Sequence, residues 1–284
     1  MSSTSYKRYE TKKFYAIVGF KGAEVENIIS NIDLYYNEWV EKKIDKKTGL
    51  PKTYLDGTVK ERIIRPSQGR LKIIQSRIKN KILAPVPLPD NVHGGIKKRS
   101  NITNAKPHQG NKYIFTTDLQ TFFPNISSKQ VYGTFIDFGC STHFSRLLTK
   151  LSTWKYELPQ GTPTSTHIAN LVFLKTDMRL IELCNDNGIT YTRFVDDLTF
   201  SCQHDFSNLL SDILMIVEEG GFKISHRKTQ YKGKQTITGV EVFNHKIDAP
   251  KKILEKAKLE VDNHPAFKPY TNYVENIRNT NRKN

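Results

Sequence analysis

The chain reads as an α+β protein, with amphipathic helices gathered about an antiparallel sheet. Three observations predict it. Residues 189–195 and 198–202 are runs of β-formers on either side of Asp196-Asp197, a tight hairpin with carboxylates at its tip. Residues 112–119 read as a buried strand closing on a further acid, Asp118. Around these, apolar residues recur at the three-to-four spacing of helices. With 284 residues and 37% apolar content the chain can bury a substantial core, as one compact body of two or three subdomains.

In order, residues 23–44 put Val25, Ile28, Ile29, Ile32, Tyr35, Trp39 and Val40 at helical spacing, which predicts a first amphipathic helix. A charged turn at 45–51 and a β-like stretch from Tyr54 and Leu55 to Ile63 and Ile64 follow. Residues 68–83 predict a helix with Leu71, Ile74, Ile78 and Ile82 inward and a basic outer side. Residues 84–112 read as irregular: Pro85, Pro87 and Pro89 break helix, and His93-Gly94-Gly95 next to Lys97, Lys98 and Arg99 suits a main chain that approaches phosphates. His108 alone reads as a hydrogen-bonded structural histidine. After the 112–119 strand, Phe122-Phe123-Pro124 reads as a pocket wall. Helices are predicted at 128–138, 142–151 and 165–185, the last opened by Gly161 and Pro163. Beyond the hairpin come a helix at 206–219 stopped by Gly220-Gly221, a strand at 222–225, and a β-like run at 235–242 that finishes the sheet. The tail carries one helix at 251–261 and a basic remainder whose end, 276–284, reads as frayed.

Charge is unevenly placed. Residues 42–112 hold 18 Lys/Arg against 4 Asp/Glu and residues 223–284 hold 14 against 6, whereas 113–222 hold 7 against 12. Basic flanks around an acidic centre suit a polyanion held outside and metal ions held within. Two adjacent carboxylates repel unless a cation sits by them, and a divalent metal is the usual answer. An isolated Asp-Asp is an ordinary polar turn; Asp118, a third aspartate ending a strand, turns the reading toward a metal site. Cys140, Cys184 and Cys202 form no CxxC pair, which predicts a reduced, cytoplasmic protein without structural zinc. No apolar run has the length of a membrane span.

Several blocks, in order, make the chain resemble the reverse transcriptases of bacterial retrons. Residues 60–66 resemble the first block of the fingers. Asp118 with Phe122-Phe123-Pro124 resembles the first catalytic block, Pro159-Gln160-Gly161-Thr162-Pro163-Thr164-Ser165 the template-and-nucleotide block, and Phe194-Val195-Asp196-Asp197 the paired-aspartate block. Gly221-Phe222-Lys223-Ile224 with Lys228 resembles the next palm block. Two narrower features, Asn104-Ala105-Lys106-Pro107-His108 and Ile237-Thr238-Gly239, fit elements by which retron enzymes recognise their own structured RNA; Ile237 stands where Val is usual.

The resemblance implies a right-hand polymerase fold: helical, basic fingers over 1–112 with a return near 125–160, an antiparallel palm over 113–245, and an abbreviated thumb over 246–284, with low processivity the expected consequence. It implies RNA-directed DNA synthesis with two Mg²⁺ ions and deoxynucleoside triphosphates. Asp118, Asp196 and Asp197 would be catalytic and metal-binding, the first two bridging. Arg62, Arg65, Phe123, Gln160, Gly161 and Lys228 would serve the nucleotide, with Phe123 excluding a 2′-hydroxyl. Lys97, Lys98, Arg99, Asn104, His108, Thr238 and Gly239 would serve RNA. Retron enzymes prime from the 2′-hydroxyl of an internal guanosine of their non-coding RNA, make branched RNA-DNA (msDNA), and work with a neighbouring effector protein in anti-phage defence. A higher-order assembly bridged by RNA is compatible with the basic surface. The alternatives are a group II intron-like or other defence-associated reverse transcriptase, and a non-catalytic RNA-binding scaffold.

Overall fold

A computed structural model describes residues 11–44, 49–53, 56–233, 236–263 and 267–282. Its elements in chain order are α1 (Thr11–Val18), α2 (Gly22–Ser30), β1 (Trp39–Lys42), β2 (Glu61–Ile64), α3 (Gly69–Ile78), α4 (Asn101–Ala105), β3 (Tyr113–Asp118), α5 (Ser128–Asp137), α6 (Thr142–Ser152), α7 (Ser165–Asp186), β4 (Thr190–Phe194), β5 (Asp197–Cys202), α8 (Leu210–Glu219), β6 (Gln230–Lys232), β7 (Thr236–Ile237), β8 (Val240–Val242), β9 (Ile247–Asp248), α9 (Lys251–Asn263) and α10 (Pro269–Asn279). The chain divides into two compact units, 1–87 with 123–172 and 88–122 with 173–284.

The first unit is mainly helical. Leu71, Ile74 and Ile78 form the buried stripe of α3, as their spacing predicts. Phe14 of α1 meets Phe144 of α6 edge to face at 5.6 Å. Gln75 is fully buried in this apolar setting, so each of its polar atoms needs a partner. Its amide nitrogen donates to the Leu151 carbonyl at 2.8 Å and to the Tyr36 hydroxyl at 3.2 Å, and its oxygen accepts from Ser67 at 2.6 Å. The predicted helix over 23–44 stops at Ser30. Asn31 folds its amide back onto the Asn27 carbonyl at 2.9 Å, a local bond that competes with helix propagation. The chain passes through a 3-10 turn, Ile32–Tyr35, and Trp39 and Val40 then lie exposed on β1, paired with β2 from Trp39↔Ile64 to Lys42↔Glu61. The 45–48 part of the charged turn, Tyr54 and Leu55 lie outside the described residues.

In the second unit a four-stranded sheet runs in the order β4-β5-β3-β6, all antiparallel. Residues 222–225 are not a strand. They make one bridge, Leu119↔Ile224, and β6 takes the sheet edge instead. The run 235–242 does not finish this sheet either, because it folds on itself at Thr238-Gly239, both at positive φ (44° and 84°), and opens a separate sheet β7-β8-β9. Gln235, which began the predicted run, lies outside the described residues. Ile237, Val240, Val242 and Ile247 of that sheet share a core with Ala257 of α9 and Val274 and Ile277 of α10. The tail is therefore a helical pair rather than one helix and a frayed end. Residues 88–112 belong to this second unit. They are less irregular than their prolines suggest, since the Ser100 hydroxyl accepts from the Thr103 amide and caps α4, which runs into a 3-10 turn, Lys106–His108. No helix among the described residues is long and apolar enough to cross a membrane.

Candidate active site

The three aspartates meet at one end of the four-stranded sheet. The register of β3 on β5 sets Asp118 directly opposite Asp197. β4 and β5 are joined by the two-residue turn Val195-Asp196, closed by the pair Phe194↔Asp197. The Leu119 amide donates to the Asp196 carbonyl at 2.9 Å, which ties the end of β3 to the turn. The segment after α8 lies along the same end: Gln120 N donates to Lys223 O at 2.8 Å and Ser225 N to Asp118 O at 2.7 Å. It delivers Lys228, whose ammonium stands 2.5 Å from Asp118 Oδ2.

Like charges crowd there. Burial first, then the negative charges of Asp196 and Asp118, push the Asp197 carboxyl up to about 7, against a smaller opposing pull from Lys228. The site thus carries more negative charge than its own cation offsets. Its donors are hard carboxylate oxygens, which suit Mg²⁺ over a thiophilic metal. No group of three ligating side chains forms a ready-made metal cage among the described residues. Mg²⁺ needs none, since it characteristically takes one or two carboxylates and fills its octahedron with phosphate and water oxygens.

The turn has a strained backbone. Val195 is at φ +59°, where a β-branched residue is disfavoured, and with Asp196 at negative φ the turn follows the II′ pattern that normally has glycine first. Asn91 and Arg193, which the sequence does not mark, hold it together with His93 and Gly94. Arg193 N donates to Asn91 O and His93 N to Arg193 O, each at 2.8 Å, so 91–93 run beside β4. Gly94 then abuts the turn so closely that a Cβ would lie 2.4 Å from Val195 Cγ2 and 2.5 Å from its nitrogen. This gives Gly94 a packing role that needs no phosphate nearby. The Arg193 side chain is buried and reaches the Val195 carbonyl. An arginine inside a strand run offers no sequence signal for such a role.

The two narrower elements of the resemblance meet in space. Asn104 Nδ2 donates to Thr238 Oγ1 at 3.3 Å, and Asn101 Nδ2 donates to Thr238 O at 3.1 Å and to the Tyr273 hydroxyl of α10 at 2.6 Å. His108 is fully buried with Nδ1 2.6 Å from Ser201 Oγ and Nε2 2.7 Å from Thr192 Oγ1, which fastens it to β5 and β4. Burial holds its imidazole neutral, with the pKa lowered to about 3. Asn104 and His108 are therefore buried inside the fold: for His108 this is the hydrogen-bonded structural role that the residue alone predicts, for both it departs from the RNA contact implied by the resemblance, and Thr238 is half-buried in the same network. Arg99 is likewise committed, to the carbonyls of Pro89 and Val92 and to Asp90. Lys97, Lys98 and Gly239 are exposed.

Phe122 is buried against Phe173 and Phe222, at ring separations of 6.0 and 5.8 Å. The remaining nucleotide candidates lie in the first unit. There Phe123 is half-buried, and Gln160 O accepts from Arg65 N at 2.8 Å. Gly161, at φ +107°, leaves room for Ile64 and Pro66. Arg65 is held between Glu38 and Glu157 over the Trp154 ring, which weakens its case as a triphosphate ligand; Arg62 is exposed on β2.

The family model for reverse transcriptase (RNA-dependent DNA polymerase) matches residues 44–242. The chain belongs to that family and has its right-hand polymerase class of fold. Among curated proteins it is 30% identical over 227 residues to the retron Ec86 reverse transcriptase of Escherichia coli, covering 76% of this chain and 68% of the relative. It is 32% identical to the retron Mx65 enzyme of Myxococcus xanthus, over 64% of this chain and 48% of that one, and 31% identical to the Mx162 enzyme of the same organism, over 74% and 51%. The chain thus spans about half the length of the two Myxococcus relatives. Within the family it is a reverse transcriptase of the bacterial retron type, an RNA-directed DNA polymerase.

Proposed function

We propose that this chain copies part of a cognate structured non-coding RNA into DNA, primed from a 2′-hydroxyl of that RNA, and so produces branched msDNA within a cytoplasmic anti-phage system that includes a neighbouring effector protein. The observation that carries the catalytic part is the meeting of Asp118, Asp196 and Asp197 at one sheet end with an Asp197 carboxyl raised to about 7. Such a cluster is costly to keep unless cations complete it.

In this reading Asp118, Asp196 and Asp197 would hold two Mg²⁺ ions, Asp118 and Asp196 as the principal ligands and Asp197 as the more peripheral one. The ions, when bound, acidify the attacking hydroxyl and neutralise the triphosphate and leaving pyrophosphate. The chain's own part is positioning: β3 and the turn fix the carboxylates, and Lys228 balances Asp118 until substrate and metal arrive. Phe123, Gln160, Gly161 and Arg62 serve the incoming nucleotide on the family pattern, Phe123 by excluding a 2′-hydroxyl. The exposed Lys97 and Lys98 serve the RNA backbone.

The test is to express the chain with the DNA upstream of its gene, purify it, and treat the co-purifying nucleic acid with RNase and with debranching enzyme. A short DNA whose mobility shifts on debranching, and which is missing from the Asp196→Asn, Asp197→Asn variant, is the expected result. Primer extension on a supplied template without branched product would remove the retron-type priming and keep the polymerase. DNA synthesis undiminished in the double variant would remove the catalytic assignment.

A further inference from the structure

A fully buried charge network lies on the α7 side of β4. Asp177 of α7 and Arg193 of β4 are both inaccessible to solvent. Arg193 Nε donates to Asp177 Oδ1 at 2.9 Å and Nη2 to Oδ2 at 2.6 Å, a bidentate pair, and the Tyr191 hydroxyl donates to Oδ1 at 2.7 Å. The Phe173 ring lies 4.6 Å from the guanidinium carbon. A buried ion pair of this kind is poor value for stability alone, because desolvation offsets most of the attraction and an apolar pair of similar volume commonly does as well. The remaining arm of the guanidinium suggests its use, since Nη1 donates to the carbonyl of Val195 at 2.9 Å.

That carbonyl belongs to the central peptide of the Val195-Asp196 turn. Types I′ and II′ share a positive φ at the first central residue and differ by rotation of this peptide, which changes the sign of φ at the second. Here the second residue is Asp196. A rotated peptide would therefore re-aim the Asp196 carboxylate while leaving the hairpin paired. Both peptide planes flanking Asp196 are held: Val195 O by Arg193, and Asp196 O by the Leu119 amide at 2.9 Å. With Val195 in a sparsely populated conformation, the local sequence does not fix the turn type by itself.

We infer that Arg193, oriented by Asp177, is a positioning residue that locks the Val195-Asp196 peptide in one orientation and thereby aims the Asp196 carboxylate. The inference rests on the catalytic reading of the aspartates. It uses an arginine because the fork must satisfy a carboxylate and a carbonyl at fixed angles, which a lysine ammonium cannot do.

Two variants test it, Arg193→Lys and the apolar replacement Asp177→Leu, Arg193→Met, with steady-state primer extension, a Mg²⁺ titration and thermal melting. The double variant, which leaves the buried Tyr191 hydroxyl without its acceptor, is expected to melt several degrees below the parent and to lose about 10- to 100-fold in kcat with KM for the nucleotide little changed. Arg193→Lys, which keeps the charge, is expected to lose kcat similarly and to need several-fold more Mg²⁺ for half-maximal rate. Parental kcat and Mg²⁺ response in Arg193→Lys would overturn the inference, whether or not the double variant folds. Asp196→Asn is the control: activity retained there would sink the catalytic reading, and activity lost there with Arg193→Lys unaffected would sink only the positioning role.

Discussion

The Asp197 carboxyl ties the chemistry of the site to its stability. Its pKa rises from 3.8 to about 7 on folding, chiefly by burial and then by the charges of Asp196 and Asp118. Between those values the folded chain holds a proton that the unfolded chain has lost, so stability falls as pH rises from about 4 to 7 and stays lowered above. In a metal-free buffer at pH 8, Asp197→Asn is expected to melt several degrees higher than the parent, a gain on the order of 2 kcal/mol. The difference should vanish near pH 4, and an equal gain at both values would assign it to something other than charge. Gly94 supplies a second prediction. A methyl group there must displace Val195 main chain, so Gly94→Ala is expected to cut polymerase kcat about 10-fold or more while distant cores keep their hydrogen-exchange protection. The acids came into view only as a set, because Asp-Asp alone is an ordinary turn and it is Asp118 at the end of another strand that gathers them. His108 was legible as a hydrogen-bonded structural histidine, whereas Asn104 and Arg193 were not, because a buried polar side chain carries the same letter as one that faces solvent.

Secondary elements with long, clean periodicity, α3, α6 and α7, lie where their spacing puts them, since an apolar stripe of three or more turns has one way to be buried. Short elements defined by caps and turns do not announce themselves. α4 has only five residues and rests on the Ser100 cap, and the break after α2 depends on one Asn side chain turning back on the backbone. The β7–β8 hairpin was visible as β-formers, yet its two-residue turn sent it to a different sheet from the one predicted. That turn belongs to a latch in which Thr238 meets Asn101 and Asn104 while Asn101 meets Tyr273 of α10. Asn101→Ala removes the shared donor. It is expected to cost about 1–3 kcal/mol and to speed amide exchange in α10 before it affects the β3–β5 ladder. Exchange rising first in β3 would show that the latch supports something else.

At the scale of the molecule the decisive property is the charge of +16, gathered into basic flanks around an acidic centre. A polyanion held by such flanks is bound largely through release of its counterions. If the proposed function holds, affinity for the RNA it proposes falls about 10³-fold or more between roughly 50 and 200 mM salt. Lys97→Ala with Lys98→Ala should flatten the log–log salt slope by about 1 to 2, whereas variants of the buried Asn104 should leave the slope unchanged. A slope insensitive to both lysines would move the RNA to another face. The flanks and the acidic centre could be counted along the sequence, but which cations are committed internally, as Arg65 and Arg99 are, could be seen only in the fold. The ammonium of Lys228 against Asp118 has a further consequence. At rest the centre is already in the state of an ion exchanger loaded with its weaker counter-ion, and a divalent ion must evict a tethered cation whose local concentration never dilutes away. Mg²⁺ must therefore compete with this ammonium, which raises the concentration needed for half-maximal rate without imposing a lag, since an exposed side chain moves far faster than turnover. Lys228→Met should reach half-maximal rate at a lower Mg²⁺ concentration, as an exchanger freed of its resident ion, and an unchanged Mg²⁺ requirement would remove the competition.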